Sequence, residues 1–253
     1  MSKLQALIFD VDGTLADTER DGHRVAFNYA FAEAGLDWDW TVPLYGELLE
    51  VTGGKERIKS YLNKYLPDFQ PPIDLDKFIA NLHAAKTKHY VQLITEGGIP
   101  LRLGVKRLLE EARSEGIRLA IATTTTLPNV TSLLEHTLGI DSLDWFEVIG
   151  AGDIVPAKKP APDIYQYVLQ KMDLQPQDCL AFEDSQQGLK SSRAAGLNTV
   201  ITLNDYTQNH NFSGAVVVLN HLGEPEQPFS VLAGNTGDMT YFNIDLVQHL
   251  HNS

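Results

Sequence analysis

The stretch LQALIFDVDGTL at residues 4–15 places an apolar run directly before two aspartates and a glycine. We interpret residues 4–9 as a strand of an open α/β sheet, because ligands bind where such strands end in loops. Alternate strand positions face the same way, so Asp10 and Asp12 are expected to share one side. Two close carboxylates repel each other, and the pair therefore indicates a bound cation or divided acid and base roles. Taken alone, the fragment is equally compatible with an ordinary turn.

Further apolar runs follow, most of them separated by stretches with helical spacing. This alternation predicts a doubly wound α/β fold, with a mainly parallel sheet, right-handed crossovers and helices on both faces. The predicted strands after the first are residues 117–122, 146–149, 179–182, 199–203 and 215–219.

One long segment breaks this alternation. Between about residues 18 and 94 the sequence shows helical spacing and no convincing strand. We expect a helical cap domain at 18–96, inserted into a discontinuous core of residues 1–17 and 97–253. The return passes through Gly97-Gly98-Ile99-Pro100, a junction suited to a hinge. Beyond about residue 223 the sequence looks irregular, and we assign that tail no function.

Composition limits the possible partners. The chain of 253 residues carries 33 acidic and 20 basic residues, a formal net charge of −13. This charge repels nucleic acids and anionic lipids, so we expect neither as a partner, and a phosphorylated substrate would need local basic groups. No apolar run approaches the roughly 20 residues of a membrane span.

The single cysteine, Cys179, excludes an internal disulfide and a cysteine-based zinc site, and fits a reducing compartment. The first residues show no features of a signal or transit peptide. We therefore expect a cytoplasmic protein, or one of the plastid stroma if the chain is a mature organellar form. We expect it to be a monomer.

A second acidic pair, Glu183-Asp184, follows the predicted strand at 179–182. Because the ends of parallel strands meet at one edge of the sheet, this pair is expected to converge there with Asp10 and Asp12, which gives four acidic groups. Such a cluster is tolerable around a cation, and an all-oxygen set of ligands suits Mg²⁺.

Two polar segments follow other predicted strands. Thr123-Thr124-Thr125-Thr126, with Asn129 beyond, offers hydroxyl and N–H groups at the start of a helix. This arrangement suits a phosphate, although a run of threonines is often simply a helix cap. Lys159 precedes a further helix and is placed to stabilise a phosphoryl oxygen, or else is a surface lysine. Acid pair, hydroxyl, lysine and acid pair at successive strand ends favour a phosphoryl-transfer site.

These motifs together resemble those of the haloacid dehalogenase-like phosphotransferases, whose pattern is DxDGT, a strand-end Thr or Ser, a Lys and an acidic pair. The helical insertion is similar to the small cap of the phosphoglucomutase-like branch. Up to about residue 222 the chain is more specifically similar to the CbbY-type xylulose-1,5-bisphosphate phosphatases of carbon-fixing organisms. The similarity is carried by DVDGTLADTERDGHRVAFN, ELLEVTGGKERI, ATTTTLPNV, AGDIVPAKKPAPDIY and FEDSQQGL.

The resemblance implies a role for each core motif. Asp10 is implied to be the nucleophile, and Asp12 the general acid and base, whose backbone carbonyl also binds Mg²⁺. Thr123 and Lys159 are implied to hold the transferring phosphoryl group. The acidic pair at 183–184 is implied to bind the metal, its aspartate directly and its glutamate directly or through water.

The cap is expected to select the substrate. The basic segment around the start of a cap helix is expected to bind a second phosphate, although its glycines also suit a plain turn with solvated charges. Other cap residues are candidates for substrate hydroxyls, with structural roles as the alternative. The candidates for substrate binding are Glu19, His23, Tyr45, Gly53, Gly54, Lys55, Arg57, Thr124 and Asn129.

These inferences favour a Mg²⁺-dependent sugar-bisphosphate phosphatase acting on xylulose 1,5-bisphosphate through an aspartyl-phosphate intermediate. The alternatives are a sugar phosphomutase of the β-phosphoglucomutase type or a broad sugar-monophosphate phosphatase, because the same core motifs serve these activities. A catalytically silent ligand-binding module is a third reading. The intact Asp10 and Asp12 argue against it.

Overall fold

A seven-stranded sheet forms the centre of the computed structural model, which describes residues 3–251. The strand order is β3-β2-β1-β4-β5-β6-β7, and every neighbouring pair is parallel except β6 and β7. The predicted doubly wound α/β class is confirmed. The strands are β1 Ala6–Phe9, β2 Arg118–Ala122, β3 Phe146–Gly150, β4 Cys179–Glu183, β5 Asn198–Thr202, β6 Val217–Leu219 and β7 Val231–Gly234.

Helices cover the sheet and form the inserted segment. The insertion begins with a π-helical turn, Glu19–His23, that runs directly into the first α-helix. Short 3₁₀ helices lie at Ile140–Trp145 and Pro176–Asp178. The α-helices are α1 Arg24–Glu33, α2 Val42–Leu48, α3 Gly54–Tyr65, α4 Leu75–Thr95, α5 Val105–Ser114, α6 Leu127–Leu138, α7 Asp163–Met172, α8 Gln186–Ala194 and α9 Ile244–His251.

The continuous apolar sequence of β1 reflects burial on both faces of the sheet. Leu7 and Phe9 face a cluster that includes residues of α5, α6 and α9, whereas Ala6 and Ile8 face a second cluster containing residues of α7. A fully buried Leu, Ile or Phe side chain stabilises a fold by about 1.5–3 kcal/mol relative to exposure. β1 is therefore a rigid support for the aspartates that follow it.

The helices between Glu19 and Thr95 have an apolar cluster of their own, built largely from aromatic rings such as Phe27, Phe31 and Trp40. Asp74 starts the long helix α4 by accepting a hydrogen bond from the Lys77 amide (3.1 Å). The segments that join this helical cap to the core lie side by side, since Ala16 pairs with Leu101. The domain limits at 17/18 and 96/97 stay a prediction.

The tail differs from the irregular structure that we expected. It contains the edge strand β7 and the helix α9, whose buried side chains, such as Val247, join the main core. All four residues of β7 are exposed, so this strand lacks the alternating pattern that reveals a half-buried strand. None of the helices within residues 3–251 has the length and apolar character needed to cross a bilayer.

Candidate active site

The carboxyl ends of β1, β2 and β4 meet at one edge of the sheet and bring the predicted core residues together. Asp10 directly follows β1, Thr123 follows β2, and Glu183 ends β4. Lys159 reaches the same point from the loop between β3 and α7. These four side chains are buried, and the Asp10 amide extends the pairing of the strands by donating to the Phe182 carbonyl (3.0 Å).

The Lys159 ammonium lies between two carboxylates. Its Nζ atom is 2.6 Å from Oδ1 of Asp10 and 2.6 Å from Oε1 of Glu183, and Tyr165 donates its hydroxyl to the same Glu183 oxygen (2.5 Å). Burial by itself would lower the pKa of Lys159, but the charges of Asp10 and Glu183 raise it above its usual value. Lys159 is therefore a permanent positive charge beside Asp10.

A third carboxylate, Asp184, joins Asp10 and Glu183 in one cluster. Oxygen atoms of Asp10, Glu183 and Asp184 lie within 4.8 Å of one another. Burial raises the pKa of Asp10 to about 7, against the opposing charge of Lys159, and raises the pKa of Asp184 well above its usual value. Oε2 of Glu183 is buried and has no hydrogen-bond partner among the described residues. A cluster of hard oxygen donors with an unpaired carboxylate oxygen fits a divalent cation such as Mg²⁺.

Asp12 departs from the expected cluster of four acids. Its carboxylate accepts hydrogen bonds from the hydroxyl of Thr18 (2.5 Å) and from Nε2 of His23 (2.8 Å). Burial alone would raise the pKa of Asp12, but the His23 ring and Thr18 hold it at about 2. The Asp12 carboxylate is therefore held by Thr18 and His23, outside the cluster of Asp10, Glu183 and Asp184, and its proposed contact to metal through the backbone carbonyl stays a prediction.

His23 connects Asp12 to a buried lysine of the cap. Nζ of Lys86 lies 2.6 Å from Nδ1 of His23 and stands over the rings of Phe27 and Tyr90. Because an ammonium can only donate, Nδ1 of His23 accepts the hydrogen bond from Lys86. The ring proton of His23 is therefore on Nε2, which donates a hydrogen bond to Asp12. Burial lowers the pKa of Lys86 to about 8, so this lysine is charged at neutral pH.

A second group of cap side chains is held by hydrogen bonds. The Tyr45 hydroxyl donates to Oε2 of Glu19 (2.5 Å) and accepts from Nη1 of Arg57 (2.9 Å). Nε of Arg57 also donates to the Leu48 carbonyl (3.2 Å). These hydrogen bonds orient the Arg57 guanidinium within the cap. Arg57 is buried there, with 7% of the residue exposed.

A cavity of about 90 Å³ separates the two sets of residues. Asp10, Asp12, Thr123 and Thr124 line it from the core, and Glu19, Arg57 and Leu49 from the cap. A smaller cavity of about 30 Å³ adjoins it, and its walls include Gly53, Gly54, His23, Arg57 and Lys86. Gly53 precedes α3 with φ = +98°, a conformation that favours glycine. The predicted cap glycines therefore lie opposite the predicted threonine segment across the smaller cavity.

Two predicted substrate-binding residues are placed elsewhere. The Lys55 ammonium contacts Oδ2 of Asp153 (2.5 Å), and Asp153 also binds Lys158 (2.6 Å). Asn129 is buried in α6 and donates to Oγ1 of Thr125 (2.9 Å), so it supports the threonine loop. Neither residue lines the two cavities, and the roles of Lys55 and Asn129 in substrate binding stay predictions.

Sequence reasoning also missed residues that the structure brings to the site: Thr18, Lys86, Tyr165 and Asn204. A signal for Lys86 was present, since it lies four residues after Leu82 and four before Tyr90, both buried in α4. Burying a lone lysine on an apolar helix face costs free energy unless its ammonium group has a partner. Asn204, which donates to Asp184 (2.7 Å), has no comparable signal.

Comparisons with known proteins agree with this geometry. A family model described as haloacid dehalogenase-like hydrolase matches residues 4–196. A plasmid-borne CbbY protein of Cupriavidus necator is 49% identical over 225 residues, covering 89% of this chain and 88% of that protein. A CBBY-like protein of Arabidopsis thaliana is 39% identical, covering 88% of this chain and 70% of that protein.

Solved structures of related proteins are also similar to this chain. A crystal structure of a CbbY mutant from Rhodobacter sphaeroides in complex with xylulose-(1,5)bisphosphate is 45% identical to this chain, with a TM-score of 0.81, and covers 86% of this chain and 94% of that one. A putative β-phosphoglucomutase from Thermotoga maritima is more distant, at 26% identity and a TM-score of 0.61. The chain belongs to the haloacid dehalogenase-like hydrolases and is a phosphatase of the CbbY type.

Proposed function

We propose that this protein is a Mg²⁺-dependent phosphatase that removes one phosphoryl group from xylulose 1,5-bisphosphate through an aspartyl phosphate on Asp10. The observation that carries the proposal is the presence of donors on both sides of the space between core and cap. Lys159 and Thr123 line the larger cavity with Asp10, and Arg57 lines it from the cap. Gly53 and Gly54, at the start of α3, line the adjoining smaller cavity together with Arg57. The complex of the Rhodobacter sphaeroides relative with this bisphosphate supports the choice of substrate.

Asp10 has the properties that a carboxylate nucleophile needs. Its position at the end of a buried strand fixes its direction, and the Lys159 ammonium (2.6 Å) neutralises charge that develops on a phosphoryl group bound there. Mg²⁺, held by Asp10, Glu183 and Asp184, would neutralise phosphoryl oxygens and keep Asp10 ionised. Thr123 is placed to donate its hydroxyl to the same phosphoryl group.

Asp12 is the group proposed to move the proton. It protonates the leaving sugar oxygen and then accepts a proton from the attacking water. Thr18 and His23 orient its carboxylate, but they also keep it ionised in the free protein. Protonation of Asp12 therefore requires that the dianionic phosphoryl group of the substrate raise the pKa of Asp12 or that the His23 contact loosen when substrate binds.

The cap donors are proposed to bind the phosphate that is not transferred. Arg57 supplies a planar guanidinium, and the start of α3 supplies backbone amides. Lys86 supplies an ammonium at the wall of the smaller cavity. These groups provide the local positive charge that the net charge of −13 makes necessary. A sugar monophosphate would leave them without a partner.

Phosphate release from a panel of sugar mono- and bisphosphates, with Mg²⁺ and with EDTA, tests the proposal. We expect rapid release from xylulose 1,5-bisphosphate with Mg²⁺ and slow release from monophosphates. EDTA should abolish release, and added Mg²⁺ should restore it. Isomerisation of a sugar phosphate without phosphate release would instead show a phosphomutase. Full activity in chelated buffer would contradict the metal-dependent mechanism, and binding without any turnover would indicate a silent module.

A further inference from the structure

Arg102, at the start of the core after the cap, gathers backbone carbonyls from three separate segments. Its Nη1 atom donates to the carbonyls of Gly13 and Thr202 (2.8 Å to the latter). Its Nη2 atom donates to the carbonyls of Leu203 (2.7 Å) and Asn220 (2.8 Å). The side chain is only 8% exposed. One guanidinium thus joins the loop after β1 to the loops after β5 and β6.

The same residue also ties the two segments that lead into and out of the cap. The Arg102 amide donates to the Leu15 carbonyl (2.8 Å), and its Nε atom lies 3.3 Å from Oδ1 of Asp17. The neighbouring residue, Leu101, pairs with Ala16. Arg102 is therefore fixed to the β1 loop through both its backbone and its side chain.

Two of the four carbonyls that Arg102 binds, those of Gly13 and Leu203, lie close to Asp184 of the metal cluster. Gly13 follows Asp12 and packs so closely on Asp184 and Asn204 that a side-chain carbon at this position would collide with both. Leu203 precedes Asn204, whose amide nitrogen donates to Oδ2 of Asp184 (2.7 Å). The same guanidinium thus binds Gly13, which packs on Asp184, and Leu203, which precedes the Asn204 that donates to Asp184.

We propose that Arg102 is a positioning residue of the active site, whose guanidinium sets the spacing between the Asp10–Asp12 loop and Asp184 and thereby the affinity for the divalent cation. This inference rests on the proposed function, since it assumes that the carboxylate cluster binds a metal. Arginine is required because its planar fork of five N–H donors reaches several carbonyls at once, whereas an ammonium is a compact point charge with three donors. Arg102→Lys therefore keeps the charge and loses the fork.

Arg107 offers a matched control within the same region. It is also largely buried and donates to the Gly223 carbonyl (2.7 Å), the Phe242 carbonyl (3.0 Å) and Glu224 (2.7 Å). These partners lie in the tail segment and not in the loops of the metal cluster. Arg107→Lys should cost hydrogen bonds of the same kind without moving Asp184.

The experiment measures Mg²⁺ binding by titration calorimetry, together with melting temperature, kcat and KM. We expect Arg102→Lys to weaken Mg²⁺ binding by roughly 10- to 100-fold, the range found when groups that orient metal ligands are replaced. At saturating Mg²⁺ its KM for the bisphosphate should stay within about threefold. Arg107→Lys should lower the melting temperature but leave Mg²⁺ affinity within about twofold of wild type. A loss of Mg²⁺ affinity of about tenfold or more in Arg102→Lys is clearly larger than the change of about twofold allowed for Arg107→Lys.

Unchanged Mg²⁺ affinity in folded Arg102→Lys, or an equal loss in Arg107→Lys, would overturn the inference. If Arg102→Lys does not fold, Asp17→Asn replaces it, because this exposed carboxylate orients Nε of Arg102 from outside the core. It should weaken Mg²⁺ binding by about two- to threefold, within the range of an exposed ion pair, and unchanged affinity would overturn the inference. Failure of wild type to bind Mg²⁺ would refute the proposed metal dependence itself, which distinguishes the two failures.

Discussion

Replacement of Arg57 by methionine tests whether the cap recognises a second phosphate. Two of the five N–H donors of this arginine are engaged, one by the Tyr45 hydroxyl and one by the Leu48 carbonyl. The guanidinium also lies 4.0 Å from Oε2 of Glu19, and the side chain lines both cavities between cap and core, where we expect its remaining donors to bind an anion. Arg57→Met should therefore remove contacts that only a bisphosphate makes.

The size of the effect follows from the number of bonds lost. A hydrogen bond to a charged group contributes about 1.5–3 kcal/mol, so losing one bond lowers kcat/KM for xylulose 1,5-bisphosphate by about 12- to 160-fold. A bidentate contact would exceed this range. For a sugar monophosphate held at Asp10, kcat/KM should change by less than about threefold, because that substrate has no group at Arg57.

Lys55→Met is the matched control on the same helix. The Lys55 ammonium is bound to Asp153, so its loss should affect both substrates alike and by less than about threefold, as is usual for an exposed ion pair. Arg57→Lys, which keeps the charge but not the planar fork, should fall between wild type and Arg57→Met. Melting temperatures show whether each variant keeps the cap folded.

Steady-state phosphate release with both substrates provides the measurement. Equal losses on the bisphosphate and the monophosphate would mean that Arg57 only supports the cap fold through Tyr45 and Leu48. A selective loss in Lys55→Met, with little effect in Arg57→Met, would place the second phosphate at the start of α3 on the side of Asp153. Either result would refute the assignment of Arg57.

Three further predictions concern the remaining groups of the site. Asp10→Asn should abolish phosphate release without lowering the melting temperature, because an amide keeps the shape but is not a nucleophile; turnover near wild type would exclude an aspartyl phosphate. Asp12→Ala should lower kcat by about 10²–10⁴-fold, and a loss below tenfold would remove Asp12 from proton transfer. Lys86 is charged below its pKa of about 8 and neutral above it, so kcat/KM for the bisphosphate should fall about tenfold per pH unit above pH 8. The same profile measured for Lys86→Met should lack this decline, and a decline that persists would assign it to another group.

The core of the site was predictable because its residues directly follow apolar runs. Strands buried on both faces leave a continuous apolar signature, and their carboxyl ends meet by topology alone. The positions of Asp10, Thr123 and Glu183 therefore depend on strand order, which the alternation of elements indicates. Lys159 lies in a loop, and its approach to Asp10 depends on how that loop folds back on the sheet.

The cap was less predictable because a helix decides which side each residue faces. Lys55 and Arg57 are separated by two positions, about 200° around a helix axis, so they cannot point into the same cavity. The arginine and lysine side chains that line the smaller cavity are Arg57 and, from a different helix, Lys86. Their proximity depends on the packing of α3 against α4, which no short segment of sequence records.

The enclosure of the site determines how specificity can be expressed. The cavity of about 90 Å³ is much smaller than the roughly 300–1,000 Å³ of typical ligand pockets, so we expect the cap to move away from the core when the proposed bisphosphate substrate enters. Closure then has to be stabilised from both ends of the ligand, by Lys159 at one phosphate and by Arg57 at the other. A monophosphate binds to the core alone and leaves the closed state without this support. Because His23, at the start of the cap, also orients Asp12, incomplete closure would misalign the proton-transfer group. Discrimination between the two substrates should therefore appear in kcat as well as in KM.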